Sequence, residues 1–471
     1  MNLLFFLLIL PLLGALVCVF ARSMARGVAL ATTLVTVWLA GTLWISYDVV
    51  AGGYQFVERF AWLSIPGFDI ALHVGLDGLS LPLIALTAVL GVVAVLVSQR
   101  EVHSREPAHY ATLLGIVGAV MLVFSALDMI LLFFAWEAVL VLMFLLILRW
   151  GLENRRYAAM KLLVYTGIGS AALLAAILLL AISTGTFSLL DALAGIGSIS
   201  PPVRLLIFSL VLFAALIKMP IVPLHTWLPD AHVQAPTAGS ILLAGVMLKM
   251  GAYALLRIGG PLFSSMPAWM APLLFWFGTV TILYGALVCV AQTHLKRLIA
   301  YSSIGHMGLV LVAISAGTIG VVPAAFVMVS HGLLSPLLFA LAGVIHERTG
   351  TFDIKALAGL TRTMPVVAWS LAIAALGSMG LPAMSGFIGE MASLSAAIVT
   401  FGMLGLLPVL GVLLTGAYTV LLITRTTLNA GHGAGGSENG VPPLPFIILF
   451  FFTILLGILP SLLLVVLSTL G

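Results

Sequence analysis

The feature that most constrains this chain is a succession of apolar runs of about 20 residues, separated by short polar stretches. A helix rises about 1.5 Å per residue, so each run is long enough to cross a hydrocarbon layer about 30 Å thick. Only 7% of the 471 residues are charged, against about 25% in soluble domains. The sequence therefore predicts an all-α integral membrane protein with about 14 transmembrane helices, near 2–20, 27–47, 79–98, 109–126, 128–148, 158–183, 203–220, 237–258, 268–291, 297–316, 320–345, 365–400, 404–425 and 443–467.

The distribution of Lys and Arg predicts how these helices are oriented. Fourteen of the nineteen cations fall in loops after odd-numbered helices, and three, Arg59, Arg204 and Arg257, fall in loops after even-numbered ones. Cations stay preferentially on the cytoplasmic side, so we expect a multi-pass protein of the cell's inner (cytoplasmic) membrane with both termini on the non-cytoplasmic side. The first helix lacks a basic leader or cleavage site and is expected to be retained. Because the cations are dispersed, the net charge of +4 does not indicate nucleic-acid binding.

Four ionisable residues interrupt otherwise apolar segments, namely Glu137, Lys218, Lys249 and Glu390. An ionised side chain inside a bilayer costs at least about 2.5 kcal/mol, so such groups usually face a protein interior or a hydrated path and serve ion movement. The structural alternatives are a lysine that reaches toward the headgroups and a neutral acid buried for packing. A pair of Glu137 with Lys218 would satisfy both charges better than either alternative, which favours a function.

Two of the predicted helices carry residues that break a helix. Lys218 is followed by Pro220 and Pro223, and the segment 365–400 contains Gly380 and Pro382 before Glu390. Inverted repeats with broken helices at the midplane are a known plan of transporters. We therefore predict two inverted five-helix repeats, helices 4–8 and 9–13, each with a broken helix. The corresponding divisions are an N-terminal three-helix segment 1–108, the repeats 109–258 and 259–430, and a cytoplasmic loop with the last helix at 431–471.

Histidines and carboxylates near these helices complete the set of candidates. Imidazole titrates near neutral pH, which makes a histidine suited to passing protons, although a lone helical histidine is more often a core residue. The candidates are His225, His232, His306 and His331. A metal site at His225, Asp230 and His232 is disfavoured because Pro229 disrupts the spacing, and two cysteines, Cys18 and Cys289, cannot hold a cluster. We expect no cofactor in this chain, and helix-end roles for Asp77 and Asp128.

These residues lie in motifs that can be matched to a family. The stretch KMPIVPLHTWLPDAHVQAPTAGSILLAGVMLKMGAYALLR resembles the signature of the antiporter-like subunits of respiratory complex I, and of type M, the chain-four homologue, in particular. Supporting motifs follow in the same order along the chain: GLDGLSL (75–81), FFAWEAVL (133–140), WGLENRRYAAMKL (150–162), HLKRLIAYSSIGHMG (294–308), HGLLSPLLF (331–339) and GLPAMSGFIGE (380–390).

The resemblance implies a proton-pumping module of an NADH:quinone oxidoreductase-type complex. It implies that Glu137 and Lys218 form the coupled ion pair, that Lys249 is the central relay, and that Glu390 is the exit-side group. His306 and His331 would lie on the axis that links them. The implied partners are other membrane-arm subunits, the lipid bilayer and protons, while electrons and quinone are handled by other subunits.

Two positions bear on how far the resemblance extends. In the sibling subunits and in the Mrp antiporter subunit, the position of Glu390 is typically lysine, which favours type M here. The family often has glutamate where this chain has Gln234, which removes any inference about a charge at that position. A cation/proton antiporter subunit is the alternative function, and the sequence motif LPDAHVQAPTAG argues against it. Two more functions stay open at this point, a membrane subunit of a ferredoxin- or hydrogenase-linked relative and a purely structural scaffold.

Overall fold

The apolar runs fold as helices in the computed structural model, which describes residues 3–65, 68–102, 104–429 and 435–470. The first part of the chain consists of α1 (Leu3–Phe20), α2 (Ala25–Ser46), β1 (Gln55–Ile65), β2 (Phe68–Leu76), α3 (Ser80–Glu101), α4 (Glu106–Ser125), α5 (Met129–Trp150), α6 (Arg155–Thr184), α7 (Leu189–Ala194), α8 (Pro201–Lys218), α9 (Trp227–Gln234), α10 (Thr237–Leu242), α11 (Leu248–Ala254) and α12 (Gly260–Phe263). The rest consists of α13 (Met270–Ala291), α14 (Leu295–Ser315), α15 (Thr318–Thr349), α16 (Leu360–Thr363), α17 (Pro365–Ser378), α18 (Ser385–Phe401), α19 (Leu407–Ile423), α20 (Leu444–Ile458) and α21 (Ser461–Leu467).

The number of crossings can be compared with the prediction of about 14. In the described residues, twelve helices are long and apolar enough to cross a membrane, or thirteen if the pair α20–α21, bent by 74°, forms one span. One of the twelve is the 44-residue segment Ser385–Leu428, which contains both α18 and α19. A straight helix of that length would measure about 66 Å, about twice the hydrocarbon thickness. The all-helical membrane architecture is confirmed, whereas the exact count and the inverted repeats stay predictions.

Both predicted helix breaks are present. α8 ends at Lys218, and eight residues of turns separate it from α9, while α17 ends at Ser378 and α18 begins at Ser385. Protein groups take up the backbone that the first break leaves free, since the Trp227 indole donates to the Ile217 carbonyl at 2.9 Å. Unpaired backbone is tolerated at membrane depth only where protein or water satisfies it, and this bond meets that requirement at the first break.

A β-hairpin occupies the stretch that the sequence pattern treats as a long loop between the second and third helices. β1 and β2 pair antiparallel, with Ile65 opposite Phe68 and Gln55 opposite Leu76. The hairpin is anchored to the start of α5, because the Leu127 amide donates to the His73 carbonyl and the Ala71 amide donates to the Asp128 carboxylate. Regular structure outside the membrane was therefore missed, although the membrane-embedded part is helical as predicted.

Burial divides the helices into an inner and an outer set. The most apolar window of α15 is 100% buried, and those of α14 and of Thr237–Phe263 are each 89% buried. By contrast the window of α1 is 33% buried and that of Ser385–Leu428 is 22% buried. Outer helices expose large apolar side chains such as Trp38 and Ile182, as lipid-facing surfaces do. The helices that carry Lys249, His306 and His331 are thus the ones held away from lipid.

Candidate functional site

Lys249 lies in the centre of the bundle and is fully buried. Its ammonium donates to the Ala244 carbonyl and lies 2.7 Å from Nδ1 of His331 on α15. Ala244 belongs to a π-helical turn, Leu243–Met247, that separates α10 from α11. Turns of this kind occur frequently at functional sites because they release a carbonyl from the regular helical pattern. The lysine is therefore held between a backbone oxygen and an imidazole.

Close packing of two helices makes this contact possible. A Cβ added at Gly332 would come within 2.9 Å of the Gly245 carbonyl, and one added at Gly245 would come within 3.0 Å of the Pro336 ring. Only residues without a side chain allow backbones to approach so closely, as at other membrane helix interfaces. Gly245 and Gly332 adjoin Ala244 and His331, so the glycine contact fixes the spacing across which Lys249 reaches its histidine.

His306 on α14 continues the polar line beyond His331. The two imidazole rings have centroids 5.2 Å apart. Nδ1 of His306 lies 2.8 Å from the Ser302 carbonyl, and Nε2 lies 2.9 Å from the Ser378 carbonyl and 3.5 Å from a carboxylate oxygen of Glu390. Carbonyl oxygens only accept, so both ring nitrogens are satisfied as donors, which describes an imidazolium with Glu390 as its counter-charge.

The second helix break supplies two elements of this arrangement. α17 ends at Ser378, which leaves the Ser378 carbonyl free to accept from His306. Gly380 in the break has φ +84° and its Cα faces Glu390, since a Cβ there would come within 2.5 Å of the carboxylate. A small cavity of about 10 Å³ lies beside these groups, lined by His306, His331, Ser378 and Glu390 among others. That volume is about what one water molecule needs.

Lys218 and Glu137 form a separate cluster. Lys218 is 1% exposed and its ammonium has no hydrogen-bond partner, but it lies 4.9 Å from the centroid of the Trp136 ring. Glu137 interacts with it electrostatically, although no salt bridge within 4.0 Å joins the two in the described structure, and one Glu137 carboxylate oxygen is buried without a partner. Lys218 also packs against the Lys249 helix, because a Cβ at Gly251 would come within 3.0 Å of the Lys218 Cβ.

The remaining histidine candidates make no hydrogen bond to this line. His225 follows the first break, with its ring 5.0 Å from that of Tyr284, and His232 stacks on Phe339 at 4.3 Å. Neither imidazole has a hydrogen-bond partner in the described structure. The geometry thus joins Lys249, His331, His306 and Glu390, and it leaves His225 beside the first break.

Two buried groups were assigned differently by the sequence pattern. Lys296, counted there as a loop cation, lies inside α14, is 2% exposed and donates to the Ala235 carbonyl at 2.8 Å. Arg257, also counted as a loop cation, is buried and pairs with Asp77. Lys296 was misassigned because α14 begins before the apolar run, at Leu295. Arg257 was misassigned because it was counted with the following loop although it lies inside the predicted span 237–258.

Asp77 and Asp128 do act at helix ends, as predicted. Asp128 accepts from the amides of Ile130 and Leu131 at the start of α5, and Asp77 accepts from those of Leu79 and Ser80. Burial alone would raise the pKa of Asp77, but the adjacent Arg257 charge and these hydrogen bonds hold it below its ordinary value. No cluster of three His, Cys, Asp or Glu side chains among the described residues is arranged to hold a metal ion.

Comparison with known proteins places this arrangement in a family. The model of the NADH:quinone oxidoreductase/Mrp antiporter transmembrane family matches residues 126–415. The NADH-quinone oxidoreductase subunit M of Pseudomonas aeruginosa is 37% identical over 439 residues, which are 89% of this chain and 86% of that protein.

Solved structures agree with the sequence match. A chain of respiratory complex I from Thermus thermophilus superposes with a TM-score of 0.88 at 27% identity and covers 100% of both chains. A chain of the Mrp complex from Dietzia superposes with a TM-score of 0.86 at 27% identity, with 100% of this chain and 52% of that chain covered. This chain therefore belongs to the NADH:quinone oxidoreductase/Mrp antiporter transmembrane family.

Proposed function

We propose that this chain is a proton-translocating membrane subunit of a complex I-type NADH:quinone oxidoreductase, working beside other membrane-arm subunits. The observation that carries the proposal is the succession of neighbouring titratable groups from Lys249 through His331 and His306 to Glu390. Each neighbour can give or accept a proton, and all four side chains are buried in the bundle.

In the proposed mechanism, a redox event in another subunit perturbs the Glu137–Lys218 pair. Movement of charge there changes how strongly Lys218 and Lys249 hold their protons, and protons pass through His331 and His306 to Glu390 and the outer side. The chain itself is proposed to hold no redox centre or other cofactor, with quinone reached only through other subunits. The face rich in Lys and Arg is proposed to be cytoplasmic, with both termini on the opposite side and 109–258 and 259–430 as the inverted repeats.

The test replaces Glu137 by Gln in the intact complex. We expect proton pumping into membrane vesicles, measured by quenching of a pH-sensitive dye, to be lost while the assembled complex is still isolated. Glu153→Gln is the matched control because Glu153 is an exposed carboxylate beyond the end of α5. Normal pumping by Glu137→Gln would contradict the proposed function.

The likeness to the Mrp complex supports a second candidate, a cation/proton antiporter subunit. An antiporter exchanges protons for sodium or potassium across a membrane without an electron donor. Vesicles that contain the purified complex should therefore show no cation-driven pH change in the absence of a donor if the first proposal is correct. A pH change driven by a sodium or potassium gradient alone would favour the antiporter.

A further inference from the structure

A strip that turns slowly around α15 carries a regular series of residues that leads from Lys249 to the end of the helix. His331, Ser335, Phe339, Gly343 and Glu347 follow one another at intervals of four, so each lies about one turn further along the helix and about 40° around it from the one before. Each contacts a group in a neighbouring helix. The seventeen residues from His331 to Glu347 span about 24 Å, which is about the thickness of one leaflet with its headgroup region.

α14 presents a matching series to this strip. Lys296, Ser303 and His306 are separated by seven and three residues, which again places them on one side of a helix. The hydroxyls of Ser303 and Ser335 lie 2.9 Å apart, and both side chains are buried. The two helices thus share a polar seam that runs from His306 and His331, through the serine pair, to Lys296.

His232 forms a third wall of the seam. Its ring lies parallel to Phe339 with an interplanar angle of 13°, and both ring nitrogens are buried without a partner. It interacts electrostatically with both Lys296 and Lys249. A fully buried imidazole near two lysines, with two unsatisfied nitrogens, costs too much free energy to be explained by packing alone.

The far end of the seam opens into a cavity of about 270 Å³ that several charged side chains line. It lies at the basic face, the side of the bundle that carries Arg100, Lys161, Arg297 and Arg348, where Arg100 approaches Glu347 at 3.8 Å. Glu101 accepts from the backbone amide and the hydroxyl of Thr237, which ties α3 to the helix that leads to Lys249. The cavity is lined by Arg100, Glu101, Thr237, Lys296, Gly343 and Glu347, among others.

From this juxtaposition we infer that the seam between α14 and α15 is a proton-uptake path from the basic face to Lys249 that does not pass through Lys218. The inference rests on the proposed function and adds a route and its residues. The Lys296 ammonium passes a proton to His232 and takes one back from a hydronium ion in the cavity, which becomes water. The serine hydroxyls, which both donate and accept, carry the proton on through bridging water to the Lys249 amine, after Lys249 has given its own proton to His331.

The sharpest test removes the hydroxyl pair. In the double variant Ser303→Ala, Ser335→Ala we expect loss of most proton pumping and a solvent deuterium isotope effect on turnover larger than that of the wild type, because proton delivery becomes limiting. Replacing both serines by Thr restores the hydroxyls and should restore pumping. Ser315→Ala is the matched control, since Ser315 is a buried α14 hydroxyl whose bond goes to the Val312 carbonyl away from the seam.

Lys296 provides a second variant pair. Lys296→Arg keeps the positive charge but holds its proton permanently, so it should stop pumping as fully as Lys296→Met does. Normal pumping by Lys296→Arg, or wild-type pumping and isotope effect in the double alanine variant, would overturn the uptake path. Glu137→Gln distinguishes failure of the uptake path from failure of the proposed function. If Glu137→Gln stops pumping while the seam variants pump normally, only the uptake path is wrong. If Glu137→Gln pumps normally, the proposed function itself is wrong.

Discussion

Two buried lysines in this protein lie in opposite circumstances. Lys249 has two hydrogen-bond partners and belongs to a line of groups that ends at Glu390, whereas the Lys218 ammonium has only the face of the Trp136 ring and the more distant charge of Glu137. An unpaired buried charge is far more costly than a bonded one. Lys218 and Lys249 are the same residue type and are almost equally buried. They differ only in the groups that surround the amine.

The contrast suggests a division of labour. A lysine with fixed partners is suited to passing a proton along a defined line, while one without partners responds strongly to any nearby change of charge. Lys218 also sits at the end of α8, at the helix break, where a small movement of the backbone changes its distance from Glu137. We expect the Glu137–Lys218 pair, the sensing half of the site, to respond to charge. We expect the line from Lys249 to Glu390, the conducting half, to pass protons.

The largest effect should come from Lys249→Met. This change cuts the conducting line and leaves the Ala244 carbonyl and Nδ1 of His331 without partners, at about 1–3 kcal/mol for each unsatisfied group. We expect proton pumping to be abolished while the complex still assembles, as judged by native electrophoresis together with dye quenching in vesicles. Met250→Leu, a volume-conserving change at the next buried position, should pump normally. If Lys249→Met pumps at the wild-type rate, Lys249 does not conduct protons and the assignment is contradicted.

A second pair of variants separates the conducting line from the histidine beside the first break. His306→Gln cannot become an imidazolium next to Glu390, and we expect pumping to fall by roughly tenfold or more, since a positioned proton-transfer group contributes about 10²–10⁴-fold. His225→Gln should change pumping by no more than about twofold, because His225 has no bonded neighbour among the described residues. Equal losses in both variants would erase the distinction between the two halves. Initial rates of dye quenching at matched complex content provide the measurement.

The sequence identified most of the conducting residues but not their connections. Glu137, Lys218, Lys249 and Glu390 stand out because a charge in an apolar run is rare. Periodicity also gives the side of its own helix on which a residue lies. It does not reveal which helix packs against that side, so the contact between Lys249 and His331, which are 82 residues apart, could be expected only through the resemblance.

The sequence could not predict contacts between residues remote in the chain, nor departures from regular helices. The π turn at Ala244 leaves no mark in hydropathy, and Asp77 pairs with an arginine 180 residues away. The hairpin β1–β2 carried one local signal, the dipeptide Pro66-Gly67, which is typical of turns. Lys296 was misplaced because α14 begins one residue before it, where the polar stretch still reads as a loop.

The smallest effect, and the finest test of the contrast, should come from Trp136. A cation over a desolvated indole face gains up to about 2 kcal/mol, so Trp136→Leu should make Lys218 hold its charge less firmly and slow pumping by a few-fold. The Trp136 indole also donates to the Ser170 hydroxyl at 3.2 Å, and Leu loses that bond as well.

Two further variants divide these contributions. Trp136→Phe keeps an aromatic face without the donor, and Ser170→Ala removes the acceptor while it leaves the ring in place. If the ring face holds the Lys218 charge, Trp136→Phe and Ser170→Ala should both pump faster than Trp136→Leu in the same vesicle assay. If Trp136→Phe is as slow as Trp136→Leu while Ser170→Ala is normal, the ring only fills space. Lys218 would then depend on Glu137 alone, and the sensing half would consist of that single pair.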